Sequence, residues 1–367
     1  MSGLISKINI RSYRGIESLE LNDLRQINIL TGDNNSGKTS VLEVISIFGQ
    51  PDMFRSWFDV RREERTIDGI SFYESMNDFF NVNRSEKKVD YVIETETDNI
   101  EVKMIAADSE KLLSKKDNYY KLGYAVSTEE EMDLEEENLM IVPTTFFEIR
   151  VNGEKKDRMT LCEGQMRMPL SLRKAEEKFS RNVIYIMPFA HAKARFFLND
   201  ILNNPELYQE MLEILKEFDP GIISINYDDG GSQRRGGYYK ILSKENNRAL
   251  PLDMYGDGMK KALLLMSAVV KAKNGILLLD EFETAIHTSA MERVFKWILE
   301  TCCKLNVQVF LTSHSEEAIN KVLNCSGELQ NHMAVYTLYK DKEGNSVRRL
   351  DAKKAIDVKE NMGLELR

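Results

Sequence analysis

The chain of 367 residues lacks the features that mark secreted and membrane proteins. Its four cysteines, Cys162, Cys302, Cys303 and Cys325, show neither metal-ligand nor Cys-x-x-Cys spacing, which predicts reduced thiols. The first residues lack the long apolar stretch of a signal peptide, and no later run is long enough to span a bilayer. We therefore expect a cytoplasmic protein that makes no membrane contact.

Positive charge is also in short supply, because 59 acidic residues outnumber 50 basic ones and give a formal net charge of −9. This balance argues against a surface that coats nucleic acid generally, although an acidic protein can still carry a local basic groove. Seven prolines and twenty glycines leave little room for disordered linkers. The length allows two or more units around a sizeable core.

Apolar runs and turn signals divide the chain into parts. Residues 4–31 alternate as three strands, and the third leads directly into a glycine-rich loop and an apolar helix. Residues 50–180 carry further alternating patterns, which predict an inserted arm rich in β-structure with some helix. A long helical region is expected over 190–218. From Asp253 onward helices alternate with strands, which predicts a parallel sheet whose active edge lies at the strand C-termini.

The glycine-rich loop matches the P-loop pattern Gly-x-x-x-x-Gly-Lys-Thr. Its backbone N–H groups can point at phosphate oxygens, and the following helix adds partial positive charge at its N-terminus. We expect Lys38 to reach the β- and γ-phosphates of ATP and Thr39 to hold Mg²⁺ through its hydroxyl. A chance match is the alternative, but the loop follows an apolar strand and opens a helix. The residues assigned to nucleotide binding are Gly32, Asp33, Asn34, Asn35, Ser36, Gly37, Lys38, Thr39 and Ser40.

Two carboxylates end the apolar run Ile276-Leu-Leu-Leu-Asp280-Glu281, which is typical of a strand buried on both faces. Asp280 is placed to organise the magnesium shell, and Glu281 to polarise the attacking water. A solvated turn is the plainer interpretation of two acids at a strand end. The glutamate at the second position predicts a working hydrolase and not only a nucleotide-bound switch.

A second run of this kind, Val307-Gln-Val-Phe-Leu-Thr312-Ser313-His314, also ends in polar residues. His314 could contact the γ-phosphate or the attacking water, which makes it a candidate catalytic residue together with Lys38 and Glu281. A lone histidine is more often structural. His314 follows the strand that is predicted after the Asp280 strand, and this position favours a role in the reaction.

Two glycines precede a strongly apolar helix in Tyr255-Gly256-Asp257-Gly258-Met259-Lys260. A flexible glycine pair before a helix N-terminus is a second kind of anion-binding device, although an N-cap turn is the plainer interpretation. One P-loop site needs no second phosphate cradle, so the target would be the nucleotide held by another copy of the chain. The candidate nucleotide-binding residues here are Tyr255, Gly256, Asp257, Gly258 and Lys260.

In their order along the chain, with the signature between the P-loop and Asp280, the motifs resemble those of the ABC-type ATPases of the SMC-like and OLD-family group. The signature reads Tyr-Gly-Asp-Gly-Met-Lys and not the transporter Leu-Ser-Gly-Gly-Gln, which points away from transporters and toward the OLD-like branch. No long heptad arms are present. The resemblance is carried by Ile8–Gly15, Gly32–Ser40, Tyr255–Lys261, Leu277–His287 and Leu311–Ser315.

The resemblance implies an α/β P-loop NTPase fold, in which helices flank a mixed sheet as in an ABC or SMC head. Residues 1–50 and 180–325 would form a discontinuous ATPase domain. Residues 51–179 would form an inserted arm subdomain, and residues 326–367 a short C-terminal tail.

The resemblance also implies a head-to-tail ATP sandwich. A homodimer or higher homo-oligomer would form around ATP and Mg²⁺, and hydrolysis would release it. Arg14 would contact the nucleotide. Glu283 and His287 would lie in the loop that couples the two copies.

Three functions stay open at this point. The leading hypothesis is the ATPase subunit of a bacterial antiphage defence complex, which senses a cue and controls a separate effector, expected to be a nuclease. The residues after Ser315 are too few for the Toprim nuclease domain of the OLD nucleases, so the effector is expected to be a separate chain. The second is an SMC-like DNA-repair ATPase whose basic runs at 172–174 and 234–235 contact DNA or RNA. The third is a nucleotide-gated scaffold with little turnover.

Overall fold

The computed structural model describes residues 4–61, 71–114, 139–165, 180–193, 196–228, 238–341 and 344–362. Its strands are β1 (Ile5–Ser12), β2 (Leu19–Leu21), β3 (Ile27–Gly32), β4 (Lys88–Thr95), β5 (Asn99–Ser114), β6 (Leu139–Val151), β7 (Glu154–Cys162), β8 (Val183–Ile186), β9 (Ile222–Asp228), β10 (Tyr238–Ser243), β11 (Leu250–Pro251), β12 (Ile276–Leu279), β13 (Gln308–Thr312), β14 (Met333–Asp341) and β15 (Gly344–Asp351). Its helices are α1 (Lys38–Phe48), α2 (Phe54–Asp59), α3 (Phe72–Asn77), α4 (Asn199–Leu202), α5 (Pro205–Leu215), α6 (Asp257–Lys271), α7 (Thr288–Lys304), α8 (Glu316–Asn324) and α9 (Ala352–Met362).

The central sheet has the order β15-β14-β3-β13-β12-β8 and is parallel from β14 to β8. Its strands β3, β12 and β13 are buried along their whole length, as their continuous apolar runs predict. Successive side chains face opposite sides, so that Leu277 packs with α6 and α7 while Leu278 and Phe310 pack with α1. The C-terminal ends of β3, β12 and β13 therefore meet at one edge, where the predicted motifs follow.

The second sheet crosses the domain boundary predicted at residue 51. Its order is β2-β1-β4-β5-β6-β7, and all its pairs are antiparallel. β1 and β2 therefore share one sheet with the strands of the predicted arm. Trp57 and Phe147 from that arm belong to the same buried cluster as Val44 of the P-loop helix. The arm thus packs directly on α1, and its treatment as a separate subdomain stays a prediction.

A buried glutamine joins the two large sheets. The side chain of Gln308, on β13, accepts a hydrogen bond from the Ile5 N–H at 2.8 Å. It also donates to the carbonyl oxygens of Ile5 and Arg25, at 2.8 and 2.9 Å. These bonds satisfy backbone groups at the start of β1 and just before β3. The antiparallel sheet is thereby fixed in position on the P-loop sheet.

Residues 326–367, predicted as a tail, contribute to the central sheet. β14 pairs in parallel with β3 from Met333 to Leu338, and six of its nine residues are buried. β15 returns antiparallel to it, and Ala352 and Ala355 of α9 are buried in the core. A mostly apolar strand beside β3 covers an edge that would otherwise be open, which explains why this segment is part of the fold.

The segment between the arm and α6 holds a short helical region and the antiparallel pair β9 and β10. The helical region predicted over 190–218 is instead divided into a short 3₁₀ turn, α4 and α5. α5 begins at Pro205, and Asn204 caps it by accepting a hydrogen bond from the Leu207 N–H at 3.2 Å. Across the part of the chain that the structure describes, we find no helix with the length and apolar character needed to cross a membrane.

Candidate ATP site

The predicted phosphate loop lies between β3 and α1, where the backbone twice requires glycine. Gly32 has a φ of 131°, and a Cβ there would lie 1.9 Å from the Leu338 carbonyl oxygen on β14. Gly37, immediately before α1, has a φ of 104°. The turn that links β3 to α1 therefore tolerates no side chain at these positions. The exposed residues of the loop are Asp33, Asn34 and Asn35, and the buried ones include Ser36, Lys38 and Ser40.

Lys38 lies with its ammonium group against the loop backbone. It donates to the carbonyl oxygens of Gly32 and Asp33, at 2.8 and 2.7 Å, and lies 3.5 Å from Ser36 Oγ. Burial lowers the pKa of the Lys38 ammonium to about 8, although the carboxylates of Asp280 and Asp33 oppose this shift. A cation that has lost part of its hydration is well suited to bind phosphate, because the anion supplies the missing interactions.

Asp280 is the centre of the hydrogen-bond network at this edge of the sheet. Its Oδ1 accepts hydrogen bonds from Thr312 Oγ1 at 2.5 Å and from Thr39 Oγ1 at 3.4 Å. Its Oδ2 accepts one from the Tyr185 hydroxyl at 3.2 Å. The carboxylate thereby connects the ends of β8, β12 and β13 to the first turn of α1. No role was predicted for Tyr185 or Thr312, because these contacts depend on strand register and not on a local motif.

Glu281 follows in a left-handed backbone conformation, with a φ of 44°. Its N–H donates to Thr312 Oγ1 at 2.8 Å. A non-glycine residue in this region costs energy and persists only where its surroundings hold it. Thr312 therefore orients both acids, Asp280 through its side chain and Glu281 through its backbone.

The loop after β13 is tied to a third acid, Glu283. Its Oε1 accepts hydrogen bonds from Ser313 Oγ at 2.7 Å and from the His314 N–H at 3.2 Å. The family resemblance implies that Glu283 and His287 lie in a loop that couples two copies of the chain, and this stays a prediction. The structure shows a contact of Glu283 inside one chain, which holds the backbone of the predicted γ-phosphate sensor.

One cavity is lined by most of the residues on the P-loop side of the site. The start of β15 reaches it through Asn345, whose Nδ2 lies 3.4 Å from the Ser36 carbonyl oxygen and whose Oδ1 lies 3.5 Å from the Glu17 N–H. Sequence reasoning missed Asn345, because it belongs to the segment predicted as a tail. The residues that line the cavity are Arg14, Gly15, Ile16, Asn35, Gly37, Lys38, Thr39, Ser40, His314 and Asn345.

Arg14 is held at the wall of this cavity by the first helix. Its Nε donates to Glu43 Oε2 at 2.7 Å, and the Tyr13 hydroxyl donates to the same oxygen at 3.1 Å. The guanidinium also lies 4.7 Å from the ring centroid of Phe79. Among the described atoms, Arg14 Nη2 is buried without a hydrogen-bond partner. A buried unpaired donor is costly, and a phosphate oxygen at the cavity would satisfy it.

The candidate signature residues lie apart from this cavity. Gly256 and Asp257, at the start of α6, are exposed, and Lys260 forms an ion pair with Asp257 at 2.6 Å. The described lining of the cavity contains none of Tyr255, Gly256, Asp257, Gly258 and Lys260. One chain therefore builds the P-loop side of the site and presents the signature elsewhere on its surface.

Thr39 Oγ1 and Asp280 Oδ1, 3.4 Å apart, fit the predicted Mg²⁺ site. Both are hard oxygen donors, which Mg²⁺ prefers. Proteins usually hold this ion through one or two side chains together with substrate phosphates and water. The pair follows Lys38 at the start of α1, so an ion held there would lie near the phosphates that Lys38 is predicted to bind.

A family model described as "AAA domain, putative AbiEii toxin, Type IV TA system" matches residues 27–320. A Helicobacter pylori protein named ATP/GTP phosphatase is 22% identical over 346 residues, which cover 86% of this chain and 86% of that protein. The DNA replication and repair protein RecF of Shewanella baltica is 34% identical over 73 residues, which cover 20% of each chain.

A solved structure of an Smc head bound to the C-winged helix domain of ScpA has a similar fold. Its TM-score is 0.51 at 11% sequence identity, and the match covers 96% of this chain and 99% of that one. The predicted α/β fold of an SMC-like P-loop head is confirmed.

Thr312→Val should lower both the stability of the fold and the rate of ATP hydrolysis. The buried Asp280 carboxylate and the Glu281 N–H would each lose one hydrogen-bond partner. We expect a loss of about 1–3 kcal/mol in the free energy of unfolding, measured with urea, and a lower kcat for ATP.

Thr301→Val is the matched control. Thr301 is 1% exposed and its Oγ1 is buried without a partner among the described atoms, so its removal should be neutral or stabilising. Equal unfolding midpoints for the two variants would contradict the role given to Thr312.

Proposed function

We propose a function from the premise that the chain belongs to the family described as "AAA domain, putative AbiEii toxin, Type IV TA system". The chain is a P-loop ATPase, and its active form is a homodimer or higher homo-oligomer around ATP. The separation of two phosphate-binding devices carries this proposal. Lys38, Thr39 and His314 line the cavity, whereas Gly256 and Asp257 are exposed elsewhere.

Contacts within one chain support a role for each residue of the P-loop side. Lys38 would exchange the loop carbonyl oxygens for the β- and γ-phosphates. Thr39 and Asp280 would hold Mg²⁺, which neutralises phosphate charge when bound. Glu281 would take a proton from the attacking water, and His314 would contact the γ-phosphate.

The signature of a second copy would complete the site. The first N–H groups of a helix lack partners within the helix and attract anions, and α6 begins directly after Gly256. Apart from its neighbours in the chain, no atom of the described residues lies within 4 Å of the Cβ position at Gly256, so a phosphate can approach the backbone there. ATP bound between two copies stabilises the dimer by mass action, and loss of the γ-phosphate removes a group that both copies contact.

Glu281→Gln should accumulate the ATP-bound dimer, because the amide cannot accept the proton of the attacking water while the P-loop is unchanged. We expect turnover to fall on the order of 100-fold or more. Light scattering should show a doubled mass with ATP and Mg²⁺ but not with ADP. Adding Gly256→Glu should return the monomer, since it places a carboxylate where the phosphate is expected.

Gly327→Glu is the matched control for this substitution. The Cβ position of Gly327 is likewise open among the described residues, so both variants should fold. The composite site would be contradicted if the mass of Glu281→Gln did not change with ATP, or if the dimer still formed after Gly256→Glu was added.

The proposed cellular role is the ATPase subunit of a cytoplasmic antiphage defence complex, similar to the OLD-like branch. ATP would set the oligomer, a phage cue would change it, and the change would control a separate effector, expected to be a nuclease. The family description, which names a toxin of a type IV TA system, supports a role of this kind. Exposed apolar residues on the paired strands β5 and β6, namely Leu112, Leu139 and Ile141, support a protein partner.

Co-expression with the products of the neighbouring genes tests this role. We expect a stable complex and fewer phage plaques, with protection lost in Lys38→Met and Glu281→Gln and kept in Thr301→Val. The role would be wrong if the protein purified alone in every pairing and cells showed no phage phenotype.

A DNA-repair ATPase is the second candidate, favoured by the local identity to RecF. The basic runs at 172–174 and 234–235 that could contact nucleic acid lie outside the described residues. Repair requires hydrolysis that DNA stimulates, with binding that weakens steeply as salt rises. Hydrolysis that DNA leaves unchanged would favour the defence role. A nucleotide-gated scaffold would bind ATP with little turnover, and Glu281→Gln would then change nothing measurable.

A further inference from the structure

The wall of the P-loop cavity includes residues that belong to no phosphate motif. The P-loop residues, Arg14 and His314 have proposed contacts with the phosphates. Gly15 and Ile16, from the turn between β1 and β2, line the same cavity, and so does Asn345 from the start of β15. ATP also has a ribose and a base, and these three residues form the part of the wall that is left to contact them.

Strand pairing places Asn345 beside the phosphate loop. β14 pairs with β3 as far as Gly32, which lies opposite Leu338. The residues after Leu338 therefore extend past the end of β3, and Asn345 pairs there with Lys340. This register brings one neutral amide from the β14–β15 hairpin to the cavity.

The Asn345 amide has hydrogen-bonding capacity left for a ligand. Its Nδ2 lies 3.4 Å from the Ser36 carbonyl oxygen, and its Oδ1 lies 3.5 Å from the Glu17 nitrogen. Both contacts are long for hydrogen bonds and therefore weak. An amide side chain can donate two hydrogen bonds and accept two, and the described part of the chain takes up one of each. A second N–H and a second lone pair are available to a polar ligand.

Gly15 leaves room for such a ligand. Apart from its neighbours in the chain, none of the described atoms lies within 4 Å of its Cβ position. Glu17, two residues further on, meets the Asn345 amide, so the open position and the amide belong to one wall. Ile16 is 1% exposed, and its Cδ1 lies 3.1 Å from the Cβ position of Gly37. An open position, an apolar side chain and an amide beside the phosphate loop suit a nucleoside, which has flat apolar faces and polar edges.

We propose that the part of the cavity lined by Gly15, Ile16 and Asn345 is the nucleoside subsite, and that Asn345 is a specificity-determining residue within it. Its second N–H and second lone pair form hydrogen bonds with a ribose hydroxyl or with the edge of the base, while the P-loop holds the phosphates. This inference rests on the proposed function, because it places ATP in the P-loop cavity. It adds that the β14–β15 hairpin contacts the nucleoside.

Inorganic tripolyphosphate tests the proposal, because it has the phosphates of ATP and no nucleoside. Asn345→Ala should raise the KM for ATP about five- to tenfold, the effect of losing one or two hydrogen bonds. Its kcat should stay within about twofold, since the contact is made equally before and during the reaction. The inhibition constant of tripolyphosphate against ATP hydrolysis should keep its wild-type value.

Ser346→Ala is the matched control for this substitution. Ser346 is the next residue of β15, and its hydroxyl donates to Asp341 Oδ2 at 3.1 Å. Its removal changes the same hairpin without touching the cavity lining, so the KM for ATP should not change.

Gly15→Leu tests the space in the same subsite. A leucine side chain there would fill the open position, and the KM for ATP should rise roughly tenfold or more. Tripolyphosphate should again inhibit as it does in the wild type. Gly327→Leu is the control, because its Cβ position is also open in the described part of the chain.

Nucleotide analogues identify which part of the nucleoside Asn345 contacts. If it binds a ribose hydroxyl, 2′-deoxy-ATP or 3′-deoxy-ATP should raise the KM of the wild type, and Asn345→Ala should raise it no further. If it binds the edge of the base, Asn345→Ala should change the KM for GTP by a different factor from that for ATP. Both deoxy analogues should then respond as ATP does.

The outcomes separate the two proposals. A wild-type chain that neither binds nor hydrolyses ATP overturns the proposed function and this inference with it. An active wild type whose Asn345→Ala variant matches Ser346→Ala in KM overturns the inference alone. The inference is also wrong if Asn345→Ala weakens tripolyphosphate as much as ATP, because Asn345 would then only support the P-loop through Ser36.

Discussion

The fold and the site both depend on one buried carboxylate, that of Asp280. A charge removed from water is costly unless hydrogen bonds replace the lost hydration. The donors that replace it come from three elements besides its own: Tyr185 on β8, Thr312 on β13 and Thr39 on α1. Their positions fix how the parallel strands end relative to the P-loop helix. The acid pair and the phosphate loop are therefore placed by bonding as well as by packing.

The sequence predicts those parts of the site in which local residues determine local structure. Gly32 and Gly37 have the positive φ values that a phosphate loop needs, and the loop follows a strand and begins a helix as expected. The apolar run before Asp280 forms a buried parallel strand, with β13 beside it. Periodicity and turn chemistry act over a few residues, so motifs of this kind can be recognised without a structure.

What the sequence does not predict depends on contacts between distant segments. β14 pairs with β3, so Asn345 of a predicted tail reaches the P-loop cavity. Gln308 joins the two large sheets through Ile5, which lies 303 residues away. Strand order and register are set by how whole faces pack. The alternation of residues within one strand does not identify the strand with which it pairs. The hydrogen bonds of Glu283 to the His314 loop also join distant segments, whereas its place in a loop that couples two copies stays a prediction.

If each ATP site is shared between two copies, two variants that are each defective in a different half should complement one another when mixed. Lys38→Met lacks the phosphate lysine, and Gly256→Glu blocks the signature, so each should be inactive alone. In a mixed dimer both lesions fall on one site and leave the other intact. An equal mixture should therefore recover about a quarter of the wild-type rate, as random pairing in a symmetric dimer predicts. If two folded variants recover no activity when mixed, the ATP site is not shared between copies.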